Sequence, residues 1–336
     1  MNLYGNVQCS KSSPSQGRSY PKANPKTNIT MAEPDLSIII VSWNTCDILA
    51  QCLTSILNEM NRAPHLSAET WVVDNASTDD SIRMLPQQFP WVRSIANREN
   101  VGFAQANNQA IRQSVGRYVL LLNPDTEVLP GALQTLVDFL QKHPEAGAVG
   151  PLILNPDSTL QSSCNPMPTL WREFWRLMCL DALLPQSIYR EENWDRTLAH
   201  KVEVIQGNCL LINREVMLDI GLLDERYFMF TEEVDLCYRL LQQGWPVYWL
   251  PTARIIHYGG QSTRQVAREM FMELYRSKLL FFRKTQGRWG SVIYKFILLL
   301  ATLSRLPIGL INAERRPDGG QRSNLYLELL RGLPSL

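Results

Sequence analysis

The run Leu36-Ser-Ile-Ile-Ile-Val-Ser-Trp-Asn44 decides how the rest of the chain is read. Its body is apolar and β-branched without polar alternation, as in a strand buried on both faces. Working outward, residues 47–60 carry Ile48, Leu49, Cys52, Leu53, Ile56 and Leu57 at helical spacing. Residues 70–74 read as a second strand, 77–85 as a short helix and 91–96 as a third strand. A helix over 102–114 and an apolar strand over 117–122 follow. Strands alternating with helices predict an α/β fold around a mostly parallel, Rossmann-like sheet with right-handed crossovers. Ligands of such sheets bind beyond the carboxyl ends of the strands.

Composition narrows the function classes. A chain of 336 residues can bury a large core without disulfides or a structural metal. With 45% hydrophobic and 19% charged residues it is neither a disordered chain, a fibrous repeat nor a disulfide scaffold. Lys and Arg number 33 against 32 Asp and Glu, so no overall field draws it to nucleic acid, and no such partner is expected. Seven cysteines, none spaced as a zinc or redox pair, read as reduced thiols in a cytoplasmic compartment. Residues 1–33 hold no acidic residue before Glu33 and no apolar signal core, so an unstructured tail is expected. Residues 277–336 form a basic and apolar helical segment. Lys295, Arg305 and Pro307 interrupt it, short of the roughly 20 apolar residues a bilayer span needs. It reads either as an interfacial helix, peripheral on the inner face of the plasma membrane, or as a core-packing helix.

Three strand ends put polar residues on the ligand-binding rim: Ser42-Trp43-Asn44, Asp74-Asn75-Ala76-Ser77 and Asn123-Pro124-Asp125-Thr126-Glu127. Asn100 and Gly102 open the helix that carries Phe103 and Asn107, and a helix N-terminus favours an anion. Neither G-x-G-x-x-G nor G-x-x-x-x-G-K-[ST] occurs, which argues against dehydrogenase and P-loop chemistry. A phosphate here would be neutralised by a metal instead. Asp125 and Glu127 are hard oxygen donors suited to Mg²⁺ or Mn²⁺, and His257, at a strand end before two glycines, is a further ligand candidate. Glu232, Glu233 and Asp235 follow the aromatic run 227–230. Apolar neighbours and like charge raise a carboxylate's pKa, as a general base near neutral pH requires. The other reading is an acidic first turn that complements the helix dipole. On a helix Glu232 and Asp235 share a face while Glu233 projects elsewhere.

Six motifs stand in one order: Ser37-Ile-Ile-Ile-Val-Ser-Trp-Asn44, Val73-Asp-Asn-Ala-Ser-Thr-Asp79, Asn100-x-Gly-Phe-Ala104, Leu121-Leu-Asn-Pro-Asp-Thr126, Phe230-x-Glu-Glu-x-Asp-Leu236 and His257-Tyr-Gly-Gly-x-Ser262. In that order and spacing, over residues 36–284, the chain resembles family 2 inverting glycosyltransferases, most closely their rhamnosyltransferase-like branch. The resemblance implies a GT-A fold over 34–276, with a nucleotide half over 34–130 and a mixed acceptor half over 131–276. It implies that Val41, Trp43 and Asn44 lie against the nucleoside, that Asp74 reads the base edge, and that Asn100, Gly102, Phe103 and Asn107 hold the nucleotide further along. Asn123-Pro124-Asp125 stands at the family's Asp-x-Asp, with Asp125 bridging the metal and Asn123 lowering the site's charge. His257 assists metal or diphosphate binding, Gly207-Asn208 flank the acceptor, and Glu233 is the base, with Glu232 and Asp235 as alternatives.

The implied donor is a nucleoside-diphosphate sugar, dTDP-rhamnose ahead of a UDP-sugar. The implied acceptor is a glycan or lipid-linked saccharide of cell-surface polysaccharide synthesis. Two other functions fit part of the pattern. A metal-dependent sugar nucleotidyltransferase would want a Gly/Arg/Lys-rich first loop, which the chain lacks. A non-catalytic, membrane-associated sugar-nucleotide-binding protein would use Asp74 and Asp125 and have no need of Glu233.

Overall fold

In β1 (Leu36–Ser42) every residue is buried. Leu36, Ile38 and Ile40 enter one core and Ile39 and Val41 another, because successive strand residues face opposite sides. The computed structural model describes residues 33–261, 263–313 and 319–333; all but Glu33 of the segment read as an unstructured tail lies outside them. α1 (Cys46–Arg62) lays Leu49, Cys52, Leu53 and Ile56 on the first face of the sheet. β2 (Ala68–Asp74), β3 (Arg93–Ala96) and β4 (Tyr118–Leu122) complete a parallel half in the order β3-β2-β1-β4. Between β2 and β3, α2 (Ser81–Gln88) begins four residues later than the 77–85 reading. Residues 77–80 serve the strand ends instead: the Asp79 carboxylate accepts from the N–H groups of Cys46 and Ser81. α3 (Phe103–Gln113) covers the second face with Ala104, Ala106, Ala110 and Ile111.

Beyond β4 the sheet becomes mixed. β5 (Thr126–Val128), α4 (Ala132–Lys142), β6 (Ala148–Leu154), β7 (Leu160–Gln161), β8 (Cys164–Asn165) and α5 (Leu170–Leu177) come first. β9 (His200–Val202), β10 (Val204–Ile205), β11 (Cys209–Asn213), α6 (Arg214–Ile220), α7 (Glu232–Gln242) and β12 (Val247–His257) follow. The order continues β4-β11-β6-β12-β5, with β11 antiparallel to both neighbours, while β8 and β10 form a small sheet of their own. Hence β5, numbered within the expected nucleotide half, closes the far edge against β12.

The expected boundary at 276/277 falls inside α8 (Ala267–Ala313), which breaks only at Gly287, where φ is 72° and ψ −170°. One face of α8 buries Tyr275, Phe281, Phe282, Tyr294, Ile297 and Leu298 against Leu177, Tyr227 and, from α9 (Gly319–Gly332), Leu329. The described part of the C-terminal segment is thus integral to a third core. Its opposite face leaves Trp289, Val292, Ile293, Phe296, Leu299, Leu300 and Leu303 exposed. No helix among the described residues is long and apolar enough to cross a membrane. Among the described cysteines, Cys52, Cys164, Cys209 and Cys237 are buried thiols that pack as small apolar side chains.

Candidate active site

The strand-end residues converge on a cavity of about 450 Å³. Val41 and Trp43 reach it from the end of β1, Asn100, Gly102 and Phe103 from the loop into α3, Asn123 and Asp125 from the turn after β4, and His257 from the end of β12. Gly102 is required where it stands. Its φ is +85°, and a Cβ there would lie 2.6 Å from the Phe228 carbonyl oxygen, which also accepts the Phe103 N–H at 2.6 Å. Asn75, on the strand end that Asp74 opens but given no separate role in the sequence reading, holds this loop. Its Oδ1 accepts from Asn97 Nδ2 and Val101 N, and its Nδ2 donates to Asn100 Oδ1 at 2.7 Å. Phe228, Met229 and Phe230, with Glu269 and Met270 from α8, supply walls that local sequence does not announce.

Four expected residues lie outside this wall. Asn44 instead ties two loops together, accepting the Thr78 N–H on Oδ1 at 2.7 Å and donating its own N–H to Ser77 Oγ. Asp74 is buried beside Asn75; its Oδ2 accepts from Ser77 N, and its Oδ1 has no protein partner. Asn107 turns inward on α3, donating to the Phe103 carbonyl. Glu127 accepts the Tyr258 hydroxyl at 3.0 Å on the β5 edge, so the structure does not bring it to Asp125 as a second metal carboxylate.

Asp125 and His257 do meet. His257 Nε2 lies 3.2 Å from Asp125 Oδ1, without the alignment of a hydrogen bond. The ring's other nitrogen, Nδ1, lies 2.6 Å from Gln161 Oε1. The Gln161 amide nitrogen is committed to Asn155 Oδ1 at 2.7 Å and to the His257 carbonyl at 3.3 Å, so its oxygen faces the ring. Nδ1 therefore carries the hydrogen of the neutral ring, and Nε2 turns a lone pair toward a carboxylate. The Gln261 N–H donates to the other Asp125 oxygen, Oδ2, at 3.4 Å. Two acceptors facing one another fit a shared divalent cation such as Mg²⁺ or Mn²⁺. No cluster of three or more His, Cys, Asp or Glu suited to a metal occurs among the described residues, so most of such an ion's shell would come from ligand oxygens.

The acidic run opens α7 after a strained turn. Phe230 and Thr231 have φ of 69° and 70°, a left-handed conformation that costs a non-glycine residue about 1–3 kcal/mol. Asp235 cannot be the free base that its sequence position suggested. It is wholly buried between Arg239 Nε at 2.8 Å and Lys284 Nζ at 2.6 Å, and it links α7 to α8. Glu232 is enclosed away from both cavities. Burial, and then the charge of Glu233, push its pKa well up. Glu233 is also raised by burial, but it lines a second cavity of about 220 Å³ that shares Phe230 with the first. Neither glutamate's Oε2 has a protein partner. Gly207 backs this point: a Cβ there would lie 3.6 Å from Glu233 Cβ and 4.0 Å from the Phe103 ring. Asn208, buried, gives its carbonyl to Asn123 N at 3.0 Å while its amide finds no partner. The structure therefore brings together a nucleotide-sized cavity, a pair of candidate cation ligands and, at the junction with a second cavity, a carboxylate with one unpartnered oxygen.

Residues 37–221 match the model of glycosyl transferase family 2. The chain is 30% identical over 278 residues to the N-acetylglucosaminyl-diphospho-decaprenol L-rhamnosyltransferase of Mycobacterium tuberculosis, covering 78% of this chain and 89% of that protein. It is 31% identical over 219 residues to the low-salt glycan biosynthesis hexosyltransferase Agl10 of Haloferax volcanii, covering 64% of each. Among solved structures it is similar to the mannosyltransferase PcManGT of Pyrobaculum calidifontis, determined with GDP-Man and Mn²⁺, at a TM-score of 0.53 and 15% identity over 89% of this chain and 86% of that one. GalNAc-T7 with UDP, GalNAc and Mn²⁺ gives the same TM-score over 74% of this chain and 48% of that one, at 16% identity. These two likenesses concern the fold, which is of the GT-A type. With that fold, a family match over more than half of its length and a relative 30% identical over most of both chains, the chain belongs to glycosyl transferase family 2.

Proposed function

We propose that the protein is an inverting, metal-dependent glycosyltransferase that moves rhamnose from dTDP-rhamnose to a hydroxyl of a lipid-linked saccharide in cell-wall polysaccharide synthesis. One observation carries the reading: Glu233 alone of the three acidic residues is both partnerless on one oxygen and set in a cavity wall, one residue group away from the cavity that holds Asp125 and His257. The M. tuberculosis relative, named for rhamnosyl transfer to a diphospho-decaprenol-linked sugar, supports the donor and acceptor chosen. A UDP-sugar is the second donor. The buried thiols of Cys52, Cys164, Cys209 and Cys237 suit a cytoplasmic site of action.

In this reading the larger cavity takes the nucleoside diphosphate, with Val41, Trp43 and Phe103 against the base and ribose and the N-terminus of α3 near the phosphates. Asp125 and His257 would hold Mg²⁺ or Mn²⁺, which supplies charge neutralisation of the leaving diphosphate. Glu233 takes the proton of the acceptor hydroxyl. That oxygen forms a bond to the anomeric carbon from the face opposite the diphosphate. The bond from carbon to phosphate oxygen breaks, its electron pair leaves with the nucleoside diphosphate, and the anomeric centre inverts. A raised pKa suits Glu233 for accepting a proton near neutrality.

The test is thermal stability with dTDP or UDP, each with and without Mn²⁺, for wild type and Asp125→Ala, followed by product analysis for Glu233→Gln. A ligand at a hundred times its dissociation constant stabilises by about 2.7 kcal/mol, a shift of a few degrees. The expected shift needs nucleotide and metal together and disappears in Asp125→Ala. Glu233→Gln should retain it and lose transfer. Release of inorganic diphosphate in place of nucleoside diphosphate would move the chain to the nucleotidyltransferases.

A further inference from the structure

The second cavity holds a set of charges that the chemistry of sugar transfer does not itself require. Beside Glu233 it is lined by Arg172 and Arg176 of α5 and Lys278 of α8, with Glu173 between them. Glu173, 4% exposed, receives Arg176 Nη2 at 2.6 Å, Lys278 Nζ at 2.8 Å and the Tyr294 hydroxyl at 3.2 Å. Arg172 meets Glu203 at 2.8 Å through Nη1. With Glu233 counted, three cations face three carboxylates, so the set is balanced at rest and carries one positive charge once Glu233 has taken a proton. Each arginine is engaged with its carboxylate through one terminal nitrogen, leaving the other side of the fork for a ligand. The Lys278 side chain is 14% exposed, and burial pulls its pKa down despite the neighbouring carboxylates. A bound anion in the cavity would offset that cost. Neutral sugar hydroxyls call for amides and carboxylates; two half-buried guanidinium groups, each with one side of its fork open, beside an ammonium group call for phosphate.

We propose that this cavity is a phosphate subsite of the acceptor, in which Arg172, Arg176 and Lys278 receive a phosphate or diphosphate attached to the sugar whose hydroxyl is presented to Glu233. The proposal rests on the glycosyltransferase reading above and adds to it a requirement on the acceptor. Arg172 and Arg176 hold the anion, Lys278 fixes its depth, Glu173 keeps Arg176 and Lys278 in place, and Glu203 keeps Arg172. The sugar then sits between the anion and Phe230, with one hydroxyl at the junction of the two cavities. The anion can belong to a lipid-linked sugar diphosphate or to a soluble sugar phosphate, and the chemistry of the subsite is the same for both.

The experiment compares three synthetic acceptors bearing the same N-acetylglucosamine: linked through diphosphate to a long alkyl chain, linked directly to that chain, and as the free sugar 1-phosphate. Wild type is measured against Arg172→Gln, Arg176→Gln and the double variant, with dTDP-rhamnose as donor. The expected result is an acceptor KM for the diphosphate compound about tenfold higher or more for each arginine removed. The directly linked compound should be a poor acceptor for all four proteins, and the donor KM should stay constant. Activity on the sugar 1-phosphate equal to that on the lipid-linked compound supports a soluble acceptor; preference for the latter supports a lipid-linked one. Unchanged KM for the diphosphate compound in the double variant, with wild-type melting behaviour, would overturn the proposal and leave the glycosyltransferase reading standing. Failure of wild type to transfer to any acceptor, with donor binding absent, would remove both. Arg172→Lys, which keeps the charge and loses the fork, should fall between wild type and Arg172→Gln.

Discussion

Replacing Asp235 by Asn separates stability from chemistry at the acidic end of α7. Asn keeps the shape and removes the charge, so the Arg239 and Lys284 cations, at 2.8 and 2.6 Å, both lose a buried counter-ion. Breaking a buried pair from one side costs about 3–5 kcal/mol. Two features of the site hold the cost to the lower end. Lys284 keeps Asp224 at 2.8 Å, and Arg239 keeps the carbonyls of Ile220, Gly221 and Leu222. A loss of about 3 kcal/mol at about 2 °C per kcal/mol, suited to a chain of this length, lowers the melting temperature by roughly 6 °C. Thermal unfolding is measured first, and turnover is then measured well below the lowered transition. Asp235 touches neither cavity, so turnover per folded molecule should stay near that of wild type. An unchanged melting temperature with turnover down about a hundredfold or more, the scale of a lost general base, would refute the assignment and return Asp235 to the chemistry.

The other acids give predictions with opposite signs. Glu232 has a folded-state pKa above its unfolded one, so its ionisation opposes folding and the penalty grows as pH rises past the unfolded value. Glu232→Gln should therefore melt higher than wild type at pH 8, with the gain shrinking toward pH 4; a variant that melts lower at both would contradict the burial argument. Glu173 behaves the other way. Against the cost of burial, Lys278 and Arg176 hold it down to about 2 from 4.5. Its stabilisation, up to roughly 3 kcal/mol, is complete above pH 4.5 and lost as pH falls toward 2. Lys278 gains less from the same contact because one carboxylate serves two cations, so that figure is an upper bound. The melting gap between wild type and Glu173→Gln should close over this window, and a gap independent of pH would count against it. Gly102→Ala puts a Cβ 2.6 Å from the Phe228 oxygen at φ +85°. A loss of about 1–3 kcal/mol and weaker nucleotide binding are expected, read from the same thermal shifts.

The strands were legible because buried parallel strands are continuous apolar runs, and β1, β2 and β4 stand where those runs stand. The meeting of Asp125 with His257 followed from the order of motifs along the chain. What one-dimensional reading could not supply was the partner of each charged group. Glu127 and Asp235 are carboxylates beside the right motifs, yet a tyrosine claims one and two cations claim the other, Lys284 coming from a helix far along the chain. The start of α2 was displaced for the same reason, since Asp79 is spent on Cys46. Arg172, Arg176 and Lys278 carry no local signature; only the packing of α5 on α8 gathers them.

The chain of contacts from Asn155 through Gln161 to His257 makes one side of the larger cavity depend on the orientation of an amide. Turned by half a rotation, Gln161 would offer its NH₂ to Nδ1, and the ring would have to adopt the other tautomer, with hydrogen on Nε2. His257 would then face Asp125 as a donor, and a small turn of the ring into alignment would let an internal hydrogen bond close the place where a cation fits. Only the amide and the ring would have turned, and one oxygen would have changed places with one nitrogen. Asn155, whose Oδ1 holds the Gln161 NH₂ at 2.7 Å, is in this sense a latch on a ring that it does not touch.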